Sequence, residues 1–466
     1  MADSEFTFSD VTVDLIAAYG LDDILTEDSL QGATLICVDT FEDVVADDGV
    51  TSLREAIDYA NTADETVVIL LSEGTYNLSI TGADEDANST GDLDILAGLG
   101  DVAIVGIDGS EDVVINADGL GDRVFDIEAG ADVTLYDLTI TGGEGENGGA
   151  IANSGALEVI ESVFEDNIAT GNGGAIFNDG ALEVSESSFG RNSGVIGGAI
   201  YNEGIAIVSN SVFAANSAVG SEFLSVGGAI ANSNILSVSD STFEGNWGVR
   251  GGAIDNSGSL IVNDSTFQDN DARDDGGAIG NSGTATISDS TFEGNGAGQA
   301  GAAITNLNVL IVNESTFVGN EAFLSGGAIA NFASPTRQAT VIINESTFVE
   351  NSAVTGGAIL NFGALGTIII NESTFVGNTA KTNGGAILNQ GTMLVNESTF
   401  ESNEAASNGG AIFNQGGILL VDESTFERNI AGVSGGAIFN DFDGVLTLSG
   451  ENEFLNNLPD EIFQAV

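Results

Sequence analysis

Three residues before a recurring phenylalanine, this chain keeps an acid. The positions are Glu161, Glu186, Asn210, Asp240, Asp264, Asp289, Glu314, Glu345, Glu372, Glu397, Glu423 and Glu451, and eleven of the twelve are carboxylates. The alternation of a strand points them outward. If the repeats stack, like charges about 5 Å apart repel by something under about 1 kcal/mol per pair in water and by more near a protein surface. Such a column calls for counter-ions. One reading is a solvated acidic face. The other is divalent-cation binding, chiefly Ca²⁺, which takes carboxylate and carbonyl oxygens in flexible geometry. Its candidate ligands are Asp240, Asp264, Asp289, Glu314, Glu345, Glu372, Glu397 and Glu423. The run Gly142-Gly143-Glu144-Gly145-Glu146-Asn147 adds one imperfect copy of the Ca²⁺-binding β-helix nonapeptide.

Little other chemistry is available. The 466 residues hold no His, and Lys and Arg together number 8. Without His there is no Ser/His or Cys/His nucleophile system, no imidazole base and no imidazole metal ligand. A formal charge of −63 excludes nucleic acid and anionic membrane surfaces as partners. Apolar residues still make up 42% of the chain, enough for a large core. No run is long and apolar enough to span a membrane, and no cleavable leader is visible at Met1-Ala2-Asp3-Ser4-Glu5. Cys37 is the lone cysteine, so no internal disulfide can form. It is expected as a small buried residue of the strand Thr34 to Val38.

A repeat positions the acids. From residue 148 the phrase Gly-Gly-Ala-Ile-x-Asn, an alternating apolar run and Ser-Thr-Phe-x-x-Asn recurs. Its first Asn falls at Asn153, Asn178, Asn202, Asn232, Asn256, Asn281, Asn306, Asn331, Asn361, Asn389, Asn414 and Asn440, mostly 24 to 26 residues apart. The longer steps before Asn232, Asn361 and Asn389 are read as loop insertions on one edge. Three short alternating runs per period, with almost no Pro, predict one turn of an all-β, right-handed parallel β-helix. Coils then stack Ile on Ile, Phe on Phe and Asn on Asn about 4.8 Å apart. The Asn columns are read as structural: their amides hydrogen-bond along the stack, and Asn tolerates left-handed turns. The Gly pair reads as close backbone packing at a corner. No strand-to-helix switch or Lys-Ser/Thr pair follows it, which excludes a phosphate-binding loop.

Gly-Gly-Ala-Ile together with Phe-x-x-Asn resembles the repeats of the polymorphic outer-membrane proteins, over residues 148–457. Ahead of them Thr51-Ser52-Leu53-Arg54-Glu55-Ala56-Ile57-Asp58-Tyr59-Ala60-Asn61 resembles a CSLREA-type N-terminal domain, with Thr51 where that family has Cys. These resemblances imply a secreted or surface β-helix and bring no catalytic residues. Read physically, Ser52 and Glu55 form a capping box, and Leu53, Ala56, Ile57 and Ala60 share one face of a short helix that covers the N-terminal end of the core.

The expected organisation is an acidic segment 1–32, a strand and capping helix 33–61, irregular coils 62–147, twelve regular repeats 148–457 and a short tail 458–466. The expected function is non-enzymatic: a secreted structural or adhesive solenoid of the cell surface or matrix, stabilised by cations. Candidate partners are divalent cations, extracellular glycans, and a second copy docked head to tail through residues 1–32; type I secretion is the preferred export route. Two alternatives stand beside it. A carbohydrate-active, lyase-like β-helix would need a basic cluster that Arg191, Arg250, Arg273 and Arg428 do not form. An ice-binding module would use the outward column Thr242, Thr266, Thr291, Thr316, Thr347, Thr374, Thr399 and Thr425, which lies beside charges.

Overall fold

A computed structural model describes residues 6–7, 33–46, 48–82, 87–98, 100–107, 113–220 and 226–465. The chain divides into two compact units, Met1–Val219 and Gly220–Val466, and each is a parallel β-solenoid.

One coil of the second unit shows how the phrase folds. Its strands are Ile254–Asn256, Ser259–Asn263, Thr266–Gln268 and Asp271–Asp275. Each pairs in parallel with its counterpart one coil on: Ile254 with Ile279, Leu260 with Ala285, Phe267 with Phe292, Ala272 with Ala297. There are thus four sheets, where three alternating runs were expected. The fourth is built mostly of two-residue strands such as Gly296–Ala297, too short to alternate visibly. Two of the expected insertions, within 332–338 and 363–365, share one corner, between the Ile-x-Asn strand and the long strand. The third precedes Asn232 at a different corner, and residues 221–225 of it lie outside the described residues.

Like sits on like inside the solenoid. In the second unit the rings of Phe267, Phe292, Phe317, Phe348 and Phe375 stack 4.7–4.8 Å apart and within 5° of parallel. A stack of the same kind joins Phe164, Phe189 and Phe213 in the first unit. Two buried Asn ladders run beside it. Asn256 Nδ2 donates to Asn281 Oδ1 at 2.9 Å, and Asn281 to Asn306 at 2.8 Å. In the second ladder Asn320 Oδ1 accepts from both the backbone N–H and the Nδ2 of Asn295, while Asn320 Nδ2 reaches Phe292 O. A Ser ladder does the same at the next corner: Ser290 N–H donates to Ser315 Oγ, whose own hydroxyl donates to Asn313 O. Buried polar groups need such partners, and each coil supplies them to the next. The Gly pair answers a steric demand: Gly251 sits at φ +62°, and a Cβ on Gly252 would lie 2.0 Å from Gly277 O.

The left-handed positions are not the Asn columns. The ladder acids are left-handed instead: Asp264, Asp289, Glu314, Glu345, Glu372, Glu397 and Glu423 have φ between +44° and +52°, and the residues two after each Phe, such as Asp269, Glu350 and Ser402, are left-handed too. The turn from the long strand to the Phe strand takes place at the ladder acid, so the acid occupies the strained corner and the Asn next to the core is free to bond along the stack.

In the first unit the helix Leu53–Ala60 carries the expected capping box, with Glu55 N–H donating to Ser52 Oγ and Ser52 N–H to Glu55 Oε2. Leu53, Ala56, Ile57 and Ala60 are buried, and so is Arg54. The Arg54 guanidinium binds Asp43 and the carbonyls of Gly91 and Asp92. The strands at Val67–Leu71, Val102–Gly106, Val113–Asn116 and Asp132–Tyr136 continue the solenoid, as the residue pattern predicts. Cys37 is a correction: it ends the strand Thr34–Cys37 as an exposed residue, and Val38 is the buried one. Thr34–Cys37 pairs on one side with Val67–Leu71 and on the other with Phe6–Thr7, antiparallel. The rest of the segment 1–32, and with it the expected assembly element, lies outside the described residues. At the other end the tail is more than an appendage. Ile462–Gln464 pairs with Ile438–Asn440, placing Gln464 Oε1 2.8 Å from Asn440 Nδ2 at the end of the ladder.

The ladders predict their own hierarchy of damage. Phe317→Ala should cost about 3–5 kcal/mol, the usual figure for a buried Phe. Asn320→Ala should cost about 2 kcal/mol or more, since it orphans two donors on Asn295 and the carbonyl of Phe292. Thr316→Ala, half-buried at the outer face, should cost well under about 1 kcal/mol. Urea unfolding of the three variants measures the order.

Candidate cation-binding sites

The residues expected to hold cations are all on the surface. Asp240, Asp264, Asp289, Glu314, Glu345, Glu372, Glu397 and Glu423 are exposed, one per coil, on the corner after the long strand. The coil spacing of the neighbouring Phe rings, 4.7–4.8 Å, is the step of the column. A single acid per coil can offer an ion two neighbouring carboxylates. Among the described residues, three ligand oxygens converge elsewhere.

That convergence is at Asp92, Asp94 and Asp126, whose carboxylate oxygens lie within 4.8 Å of one another. Asp92 stands just before the strand Leu93–Ile95, and Asp94 is the middle residue of that strand. Asp126 occupies the paired position on Phe125–Ile127. Strand parity turns Asp94 and Asp126 away from the solenoid core, yet Asp92 and Asp94 are 5% and 1% exposed because neighbouring chain covers them. Asp94 accepts the backbone N–H of Asn88 at 2.6 Å. The Arg123 guanidinium is already in place, bonded to Asp126 and 3.5 Å from Asp92. Burial first, and the Asp122 carboxylate second, push Asp92 up to about 8 against the opposing charge of Arg123. The cluster therefore has an internal cation, and a proton on Asp92 at neutral pH. A divalent ion would have to displace that proton, which makes any affinity rise with pH. Sequence reasoning missed the site because these acids belong to irregular coils, outside any column.

Glu158 is raised by burial and by Glu183 one coil away; both line a shallow groove of about 250 Å³ on the outer face of the first unit. Burial also raises Asp132, Asp255, Asp271 and Asp275. Asp43 would rise on burial too, but Arg54 and the N–H groups of Ile80 and Ser79 outweigh it and hold the carboxyl low. In the nonapeptide-like run, Glu144 and Gly145 form a strand paired with Ile168 and Ala169. Both Glu144 and Glu146 are exposed.

The fold and these sites define a repeat-built β-solenoid with an acidic outer corner. Four segments, 161–179, 372–390, 397–415 and 423–441, match the Chlamydia polymorphic membrane protein repeat. Each begins at a ladder acid and runs through Phe-x-x-Asn to Gly-Gly-Ala-Ile-x-Asn. The CSLREA-type resemblance rests on the residues of Thr51 to Asn61 alone. No curated protein matches the chain in sequence. Among solved structures, the catalytic unit of a GH87 α-1,3-glucanase from Streptomyces thermodiastaticus is 14% identical with TM-score 0.35, over 88% of this chain and 66% of that one, just under two thirds of its length. A PL6 family alginate lyase is 11% identical with TM-score 0.29, over 91% of this chain and 81% of that one. The tailspike protein of E. coli bacteriophage HK620, in complex with a pentasaccharide, is 14% identical with TM-score 0.31, over 88% and 76% of the two chains.

Two measurements probe the sites. Asp92 has its pKa raised on folding, so its contribution to stability is full below the unfolded value near 4 and is lost as pH rises toward about 8. The melting temperature should fall between those limits, and Asp92→Asn should flatten the fall. At the ladder, Glu372→Asn replaces a strained left-handed Glu with a residue that tolerates that backbone, and removes one charge. It should stabilise the chain by roughly 0.5–1 kcal/mol at low salt, and by less when salt screens the repulsion.

Proposed function

We propose that this chain is a secreted, non-enzymatic solenoid that serves a structural or adhesive role at the cell surface, with its acidic corner neutralised by Ca²⁺ or other divalent cations. The observation that supports it is the use to which the repeat puts its side chains. Recurring Asn, Ser, Phe and Gly-Gly all bind one coil to the next. The acid is the recurring charged group offered outward, in a backbone conformation that Glu adopts only under strain. A repeat of this kind builds a durable scaffold and a regular array of charge. The matched repeat family is named for a membrane protein, in keeping with a surface location.

Labelling intact source cells with a membrane-impermeant amine or carboxyl reagent tests the location. The chain should be tagged before lysis, and labelling confined to lysed cells would overturn the surface reading. Cation dependence has a separate readout. At low ionic strength, chelation of divalent ions should lower the melting temperature and millimolar Ca²⁺ should restore it, because ions bound by the folded ladder stabilise it. An unchanged melting temperature would show that the acids need no ion.

A further inference from the structure

The long strands of the second unit, from Ile235–Ser239 to Val445–Ser449, present an outer face quite unlike the rest of the protein. Its central column, held in register coil by coil, includes Ile261, Ile311, Ile342, Ile369, Leu394 and Leu420. Ile261 is 45% and Leu420 37% exposed, and the side chains between them are half-buried. One flank is a Thr-rich column that includes Thr340, Thr367 and Thr392. The other is an external Asn ladder in which Asn344, Asn371 and Asn396 each donate to the preceding Asn at 2.8 Å, so its amides are already engaged. In a chain of net charge −63, these nine strands carry a single charge, Asp422. The same sheet position in the first unit holds Glu158 and Glu183. A nearly uncharged strip of this extent, with Ser237, Thr286 and Thr447 completing a mostly apolar central column, marks an interaction surface.

We propose that this face pairs with the same face of a second copy. Charge selects the partner: two copies repel everywhere that carboxylates meet, and this strip is where contact brings almost none together. Its size also suffices. Nine strands at the spacing of a sheet, each showing three residues outward, give about 600 Å² per copy, and about 1,200 Å² for two is the lower bound of a stable specific interface.

The edges fix the arrangement. Beyond the C-terminal end of each strand lies the acid ladder; beyond the N-terminal end, from Asn234 to Gly417, the turns of the first eight strands carry no charge except Arg337, and the turn before the ninth carries Asp441 and Asp443. Arg337 is exposed, its guanidinium donates to Ser282 O, and it forms no ion pair among the described residues. Two faces related by a two-fold axis along the strands would bring the two acid ladders together. An axis along the stacking direction sets each ladder against the partner's turn edge, with facing strands antiparallel and the stacks parallel. Because that axis preserves height along the stack, and the Arg337 guanidinium reaches back two coils to Ser282, it meets the ladder of the partner at the level of that coil, at the partner's Asp289.

Sedimentation velocity of the full chain tests the pairing. A dimer should form, and its population should rise with salt as the net charge is screened. Ile342→Glu with Ile369→Glu should leave a monomer whose melting curve and circular dichroism match the parent, since the fold already accommodates Glu at this position in Glu158 and Glu183. Arg337→Glu should weaken the dimer about tenfold, and Asp289→Arg in the same chain should restore it. A parent that stays monomeric at high concentration and high salt would overturn the proposal. So would a dimer indifferent to the two Ile substitutions, or a charge swap that fails to restore pairing.

Discussion

A buried primary amide is tolerable only when its hydrogen-bonding groups find partners, and in this protein the partner is the same residue one coil away. Asn306 Nδ2 donates to Asn331, Asn331 to Asn361 and Asn361 to Asn389, each buried and each within 3.0 Å. That bond works only if every coil places Asn at one height and one angle. The ladder therefore enforces both the parallel register and the near-identity of the phrase. Around the insertion at 332–338 the chain takes a longer path between Asn331 and Asn361, yet the amides still meet. Insertions are accepted where they leave the ladders alone, at corners facing solvent. The same rule explains the chain's end, where Gln464 supplies the oxygen that another Asn would have offered to Asn440.

Features repeated in the stack were legible from sequence; features formed once were not. The Phe column, both Asn columns and the Gly pair can be read from period alone, because the first three satisfy the same local demand twelve times over and the Gly pair eleven times, with Ala302 standing in the remaining coil. Helix Leu53–Ala60 was legible through its capping box and its apolar face. Its buried Arg54 was not, since the partners Asp43, Gly91 and Asp92 come from two distant stretches with no shared spacing. The Asp92, Asp94 and Asp126 cluster escaped for the same reason: irregular coils align residues that no periodicity links. Cys37 was misplaced because its strand is covered unevenly, with burial falling from Thr34 to Cys37 and returning at Val38, which breaks the alternation that parity assumes.

The ladder acids show what a column can mean beyond packing. Gly would adopt the left-handed corner without strain, and Asn210 shows that an uncharged residue fits there. Glu is a poor choice for that backbone, and a column of like charges adds repulsion. Carboxylates nevertheless occupy nearly every coil. Folding alone would favour Gly or Asn at this corner, so the acid is explained by what it does on the outside of the coil.

Seen from outside, the second unit then has two surfaces that differ by one residue in sequence. The strand ends in Asn371 and the next residue is Glu372; the same step separates Asn344 from Glu345 and Asn396 from Glu397. On one side of that boundary the side chains are Thr, Ile, Leu and Asn, and on the other they are carboxylates. A period-two strand that runs into a left-handed corner separates them sharply, because the turn at the acid redirects the chain toward the next sheet. The neutral sheet and the charged corner are thus products of one local geometry, repeated. A chain carrying −63 charges can keep a contiguous uncharged face only by keeping its acids off that sheet, and in the second unit they stand on the corner ladder and on other sheets, as Glu244, Glu293 and Glu401 do on the Phe strands.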